Sequence, residues 1–210
     1  MMCVEDYYRT DQYALFLDSL RFSQTQVLET EQDVRSIPWA IIAAHNLVQM
    51  SCVVALDERD TTQSACLSDQ KLKGGMTVRE KTIELLNSGQ FDSLPEPYLA
   101  SPASLLKRVQ DKNDLMAVEA FDLDDEVKWN LERLNEYRDM VIHFLPSSWS
   151  LELDGMSEIF RSAFEFALLT LRTPGTYSHR MEVQSRHDAE ETCLRMIEKL
   201  NEGNSKCTAT

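Results

Sequence analysis

The longest apolar stretch of the chain, residues 39–56, does most to restrict the possible folds. It is apolar on nearly every side of a helix, but it also contains the polar residues His45, Asn46, Gln49 and Ser51. A bilayer span needs about twenty consecutive, predominantly apolar residues. We therefore predict a buried helix at the centre of a bundle, and we expect no association with a membrane.

Further helix signals follow along the rest of the chain. Asp11 can cap a first helix over residues 12–28, and Pro38 stands in the first turn of the apolar helix. The other predicted helices cover residues 77–87, 101–111, 124–144, 154–171 and 188–200. Glycine (6) and proline (6) are scarce, which disfavours a loop-rich β-fold. The sequence predicts an all-α, antiparallel bundle of about five to seven helices.

A turn signal divides the chain near residue 173. Thr173, Pro174 and Gly175 follow the last strongly apolar helix, and the remaining residues are polar apart from one amphipathic pattern. We therefore predict a helical bundle over residues 1–172 and a polar C-terminal tail over residues 173–210 with one short amphipathic helix.

Net charge limits the possible ligands. At −14 the chain lacks the broad positive field that drives non-specific binding to phosphate. Contact with nucleic acid must then be local. The candidate RNA-binding residues form two basic groups, which are Lys71 with Lys73 and Lys107 with Arg108.

The cysteines and histidines show no pattern of a disulfide framework or a metal site. The five cysteines are widely spaced and contain no CxxC pair, and the four histidines have no metal-ligand spacing. The N-terminal residues have no apolar run of the kind found in a secretory signal. We expect a cytoplasmic protein with free thiols, no metal and no other cofactor.

The helix predicted over residues 124–144 carries the most informative polar residues. At about 100° per residue, Arg138 falls in the middle of an aliphatic stripe. An arginine that faces the core is costly unless an anion or several carbonyl groups meet it. No carboxylate lies three or four residues from Arg138, so we expect its acceptor to lie outside its own helix. The stripe consists of Val127, Leu131, Leu134, Val141 and Leu145.

His143 follows Arg138 by five residues, in the last turn of this helix. Asp139 lies four residues before His143, where its carboxylate can hydrogen-bond the imidazole and fix the tautomer. A histidine placed in this way can give and take protons near neutral pH. A purely structural interpretation is also open. In it, Arg138 pairs with Glu158 or Glu165 on a neighbouring helix, and His143 belongs to a solvated face.

The six residues from Arg138 to His143, RDMVIH, form an R-polar-x3-H pattern at the end of a long helix, and another amphipathic helix follows. This arrangement resembles the HEPN family, whose members share an R-x4–6-H motif. The similarity extends over roughly residues 11–172. It implies a helical bundle that dimerises, so that two copies of the motif line one cleft. It also implies a metal-independent endoribonuclease with a role as a toxin or in phage defence.

The resemblance assigns a role to each residue of the motif. Arg138 would stabilise the charge that develops on the phosphate, His143 would act as general acid and base, and Asp139 would orient the pair. Some toxin-type members have a modified tyrosine two residues after the histidine. Leu145 occupies that position here, so this mode of control is not expected. His45 and Gln49 either line the same cleft or form hydrogen bonds within the core.

Two other functions fit the same sequence. The first is a non-catalytic HEPN-like module that binds a protein partner, such as an antitoxin, and uses Arg138 as a structural anchor. The second is an acidic binding or inhibitor protein without a relationship to the HEPN family. RNA cleavage that depends on both Arg138 and His143 would separate the nuclease from the other two.

Overall fold

The computed structural model describes residues 10–57, 64–111, 120–143, 150–173 and 181–207, with side chains up to residue 202. These residues form seven α-helices and two short 3-10 turns, and the only β-pairing among them is two isolated bridges. The predicted all-α bundle is confirmed. The helices are α1 (Gln12–Glu29), α2 (Ile37–Asp57), α3 (Val78–Ser88), α4 (Pro102–Arg108), α5 (Asp125–Ile142), α6 (Met156–Arg172) and α7 (Val183–Cys207).

Local sequence signals determine several helix ends. Asp11 caps α1, as predicted, because its carboxylate accepts two backbone N–H groups of the first turn. Thr77 and Glu80 form the capping box expected at the start of α3. The start of α6 differs from the prediction. That helix follows Gly155, which adopts a left-handed conformation with φ of 76°, and not Asp154.

The apolar helix α2 is the centre of the bundle, as its sequence predicts. It packs against α1, α4, α5 and α6. Ala40, Ala43 and Ala44 are completely buried, and their small side chains let the neighbouring helices approach closely. By length and composition alone, the segment Val34–Asp57 could cross a membrane, but 67% of its most apolar window is buried inside this fold.

The C-terminal helix α7 is longer than the short helix predicted there and extends over 25 residues. It packs along α6 and also contacts α1. Ala189, Cys193 and Met196 are buried in the same core as the residues of the other helices. An ion pair of 3.0 Å between Lys199 Nζ and Glu31 Oε2 joins α7 to the end of α1. The tail region therefore supplies one wall of the bundle.

Arg108 corrects one of the predicted RNA contacts. Its side chain is buried, and Nη1 donates hydrogen bonds to the carbonyl oxygens of Ala65 and Leu67 at 2.6 and 2.8 Å. Nη2 lies 2.6 Å from Asp69 Oδ2. The guanidinium can satisfy several acceptors at once, so the residue holds α4 to the segment that follows α2. The prediction that Arg108 faces RNA is wrong.

The buried face of α5 is rotated relative to the predicted stripe. Asn130, Leu134 and Tyr137 are buried, and Asn130 Nδ2 donates a hydrogen bond of 2.9 Å to Ser162 Oγ on α6. Arg138 lies at the edge of this face, and its side chain is 29% exposed. The expectation that Arg138 points into the core is therefore wrong.

Candidate functional site

Arg138 and Asp139 form an ion pair at the C-terminal end of α5. Arg138 Nη1 donates a hydrogen bond of 2.8 Å to Asp139 Oδ1. The expectation that the acceptor of Arg138 lies outside α5 is wrong, because the adjacent residue on the same helix supplies the carboxylate. An arginine side chain has five N–H groups. The other N–H groups of Arg138 have no hydrogen bond to any residue in the described part of the chain, which leaves them available to an anion.

His143 is the residue at which α5 ends. Its backbone N–H donates to the carbonyl oxygen of Asp139 at 2.9 Å, and its side chain is exposed. Within the described ranges, the imidazole forms no hydrogen bond or ion pair. The sequence led us to expect a hydrogen bond between the Asp139 carboxylate and His143. In the structure this carboxylate accepts a hydrogen bond from Arg138. Residues 144–149, which include Leu145, lie outside the described residues.

A second polar pair joins α2 to α5 beside this motif. His45 is 6% exposed, and its Nε2 lies 3.2 Å from Asn135 Oδ1. Burial lowers the pKa of His45, and the hydrogen bond to Asn135 opposes this effect. The imidazole is therefore neutral, with its proton on Nε2, and this N–H donates a hydrogen bond to the amide oxygen of Asn135. Asn135 precedes Arg138 by three residues on α5, so the two polar pairs lie about one helical turn apart.

A cavity of about 520 Å³ opens between α2, α4 and α5. His45 and Asn135 belong to its wall, whereas Gln49, the other residue considered for a cleft, is not among its lining residues. The apolar part of the wall comes from Val48, Pro102, Ala103, Leu106, Leu131 and Leu134. The remaining polar and charged residues are Lys107, Gln110, Lys128, Glu132 and Glu136.

The other predicted RNA-binding lysines lie in two places. Lys107 is exposed and lines the cavity. Lys71 and Lys73 are exposed in the turn before α3, where Lys71 forms an isolated antiparallel bridge with Thr77. The structure thus brings one of the predicted lysines to the cavity and leaves the other two outside its lining.

One group on α7 departs from the expectation that the histidines have no metal-ligand spacing. His187, Asp188 and Glu191 have ligand atoms within 4.8 Å of one another, because their spacing places them on one side of the helix. All three are exposed, and Asp188 Oδ1 already accepts a hydrogen bond of 2.7 Å from Gln184. An exposed group without a buried ligand does not define a metal centre.

The cysteines of the described region are free thiols, as predicted. These are Cys52, Cys66 and Cys193. Burial raises the pKa of Cys193 to about 12 and also raises the pKa of Cys52. A buried thiol that stays protonated is a poor nucleophile, so these two residues are structural.

Comparison of the chain with protein-family models, curated proteins and solved structures finds no match. The resemblance to the HEPN family therefore rests on the RDMVIH motif of residues 138–143 and on the all-helical bundle.

Proposed function

We propose that the chain is an HEPN-like, metal-independent endoribonuclease that acts as a homodimer in the cytoplasm, in a toxin or phage-defence role. One observation carries the proposal. The guanidinium of Arg138 is anchored by Asp139 at the end of α5, while its other N–H groups and the exposed His143 remain available to a substrate. A planar guanidinium matches the oxygens of a phosphodiester.

The chemistry uses these groups without a further reactant. The 2′-hydroxyl attacks the adjacent phosphorus, the bond from phosphorus to the 5′-oxygen breaks, and the products carry a 2′,3′-cyclic phosphate and a 5′-hydroxyl. Arg138 binds the non-bridging oxygens, where negative charge increases in the transition state. One imidazole accepts the proton of the 2′-hydroxyl, and the His143 of the second copy protonates the leaving oxygen.

Exposed apolar side chains on α5 support the dimer. Trp129 is 57% exposed, and Met140 and Ile142 within the motif are each 43% exposed. Trp129 and Met140 are eleven residues apart, which places them on the same side of α5. Large exposed apolar side chains on one side of a helix are typical of surfaces that another chain covers. A two-fold axis near this end of α5 would place two copies of Arg138 and His143 at one cleft.

The decisive experiment is RNA cleavage by the purified full-length protein in EDTA. We expect products with 2′,3′-cyclic phosphate ends, and we expect Arg138→Ala and His143→Ala each to reduce the rate by about 10²- to 10⁴-fold. His187→Ala, which changes an exposed histidine on α7, is the matched control and should retain the wild-type rate. Thermal unfolding of the variants verifies that they are folded. Cleavage that survives His143→Ala would overturn the proposal.

A second candidate, a non-catalytic module that binds a protein partner, is favoured by the side chains stacked around Arg133 on α5, which include Trp129. The guanidinium carbon of Arg133 lies 5.6 Å from the ring centre of Trp129 and 4.8 Å from that of Tyr137. Arg133 Nη2 also donates a hydrogen bond of 2.8 Å to the hydroxyl of Tyr137. Tryptophan, tyrosine and arginine are the residues most enriched at energetic centres of interfaces.

The two candidates make opposite predictions about RNA cleavage and about the effect of His143→Ala. If the chain is a binding module, the protein leaves RNA intact, and Trp129→Ala dissociates its complex with the partner protein. His143→Ala should then have no effect on that complex. Size-exclusion chromatography of the co-expressed complex, next to the cleavage assay, distinguishes the two functions.

A further inference from the structure

The cavity between α2, α4 and α5 has the dimensions of a ligand site. Its volume of about 520 Å³ falls within the range of about 300–1,000 Å³ that is typical of sites for small molecules. It lies about one helical turn from Arg138, because Asn135 in its wall precedes Arg138 by three residues on α5. A ligand in the cavity would therefore be a neighbour of the group that we assign to the phosphate.

The apolar walls suit a flat ring. Leu106 on α4 and Leu131 and Leu134 on α5 line the cavity together with Val48 and Pro102. A planar aromatic ring gains free energy when its faces are removed from water between such side chains. This part of the cavity therefore favours the binding of a flat, largely apolar ring.

The polar wall suits the edge of a nitrogen heterocycle. His45 Nε2 and Asn135 Oδ1 are engaged with each other. The second ring nitrogen of His45 and the amide nitrogen of Asn135 have no hydrogen-bond partner among the described residues. In the neutral tautomer these two atoms are an acceptor and a donor. Every nucleobase carries a donor next to an acceptor on its pairing edge.

The charges at the cavity favour a neutral ligand group. Lys107 and Lys128 are balanced by Glu132 and Glu136. The electrostatic free energy of binding a free anion, such as inorganic phosphate, at this balanced set of charges is small. An uncharged base suits the interior of the cavity. A phosphodiester suits the guanidinium of Arg138, which is outside the cavity lining.

We infer that this cavity is a subsite for one unpaired nucleobase of an RNA strand, with His45 and Asn135 binding its edge. The identity of the ligand rests on the proposed function, because the proposed RNA substrate supplies the phosphodiester that meets Arg138. A base that enters the cavity must leave its helical stack, so the subsite selects nucleotides in single-stranded regions.

The first test measures binding without catalysis. Full-length protein labelled with ¹⁵N is titrated with uridine, cytidine, adenosine and guanosine, and the signal of the Asn135 side-chain amide is followed by NMR. We expect saturable shifts with at least one nucleoside at concentrations up to about 10 mM. Inorganic phosphate, added as a second probe, should leave the signal unchanged.

Two variants with matched chemistry locate the binding. Ala103 is exposed and lines the cavity, so Ala103→Trp fills the space from a position that tolerates a larger side chain. Ala14→Trp introduces the same side chain at an exposed position on α1, outside the cavity lining. We expect Ala103→Trp to abolish the shifts and Ala14→Trp to retain them.

The second test uses RNA whose cut nucleotide, or one of its neighbours, lacks its base. We expect at least one abasic position to reduce the cleavage rate about tenfold or more, and Ala103→Trp to reduce cleavage of the intact strand by a similar factor. Nucleoside binding without any RNA cleavage would retain the subsite and overturn the nuclease. Cleavage that tolerates every abasic position, in a protein that binds no nucleoside, would overturn the subsite alone. If neither binding nor cleavage is detected, both proposals fail.

Discussion

Arg108 Nη2 lies 2.6 Å from Asp69 Oδ2, and the same guanidinium reaches two backbone carbonyl oxygens through Nη1. The pairing connects the end of α4 to a segment about forty residues earlier in the chain. In the sequence, Arg108 is indistinguishable in type from the exposed Lys107 beside it. Arg108 therefore stabilises the fold, whereas the adjacent Lys107 lies on the surface.

Replacement of Arg108 by methionine is expected to destabilise the protein. The variant retains an apolar stem but loses the hydrogen bonds from Nη1 to the carbonyl oxygens of Ala65 and Leu67 and the ion pair with Asp69, at a cost of about 2–4 kcal/mol. Urea denaturation measures this change in the free energy of unfolding. Lys107→Met, the control at the neighbouring exposed position, should change it by less than about 0.5 kcal/mol. Equal effects of the two substitutions would contradict the assigned role of Arg108.

Asn130 and Ser162 should be energetically coupled. They form a buried hydrogen bond of 2.9 Å between α5 and α6. Asn130→Ala removes the donor from the buried Ser162 hydroxyl, and Ser162→Ala leaves Asn130 Nδ2 with only a longer contact of 3.5 Å to the carbonyl oxygen of Glu158. We expect each single variant to lose about 1–3 kcal/mol. The double variant should lose less than the sum, with a coupling energy of about 1 kcal/mol in a double-mutant cycle. Additive losses would show that this bond does not join the two helices.

Met196 tests whether α7 is part of the core. It is buried against the bundle, so Met196→Ala should reduce the free energy of unfolding by about 2–5 kcal/mol. Leu194→Ala, two residues away on the exposed side, should cost much less. A fragment that ends at Arg172 should lose cooperative thermal unfolding, because α6 would expose the face that α7 covers. A fragment that unfolds as cooperatively as the full chain would refute this view.

His45 should make stability depend on pH. Burial lowers the pKa of His45 in the folded protein, whereas the unfolded chain takes up this proton near pH 6.5. The unfolded state binds more protons below that value, so the contribution is complete above it and is lost as the pH falls toward the lower folded pKa. We expect the free energy of unfolding to decrease less between about pH 7 and pH 5 in His45→Gln than in the wild type. Parallel pH profiles from urea denaturation would contradict this expectation.

Much of the fold could be predicted because its signals are local or come from one helix alone. The caps at Asp11 and Thr77 involve backbone groups within three residues, so a short sequence contains all the partners. The central position of α2 followed from the absence of a polar face. The orientation of α5 was harder, because its apolar residues cover a wide sector. Because the polar residue Asn130 is also buried, the centre of the buried face lies further from Arg138 than the apolar residues alone predict.

The candidate site was predictable only in part. Arg138, Asp139 and His143 are close in sequence, so their spacing on one helix could be recognised. The pairing of Asp139 with Arg138 depends on side-chain conformations that the spacing does not determine. His45 and Asn135 are separated by 90 positions in the chain, and no local pattern connects them. The cavity they line arises only when α2, α4 and α5 are packed together.

The placement of α2 among four other helices also constrains how a gene for this protein can change in length. One inserted or deleted residue within α2 would turn everything beyond it by about 100° around the helix axis. Residues that now face one neighbouring helix would then face another, and the hydrogen bond from Asn46 Nδ2 to Ser19 Oγ on α1 would be lost. Variation in length should therefore accumulate between the helices, while α2 keeps the same number of residues.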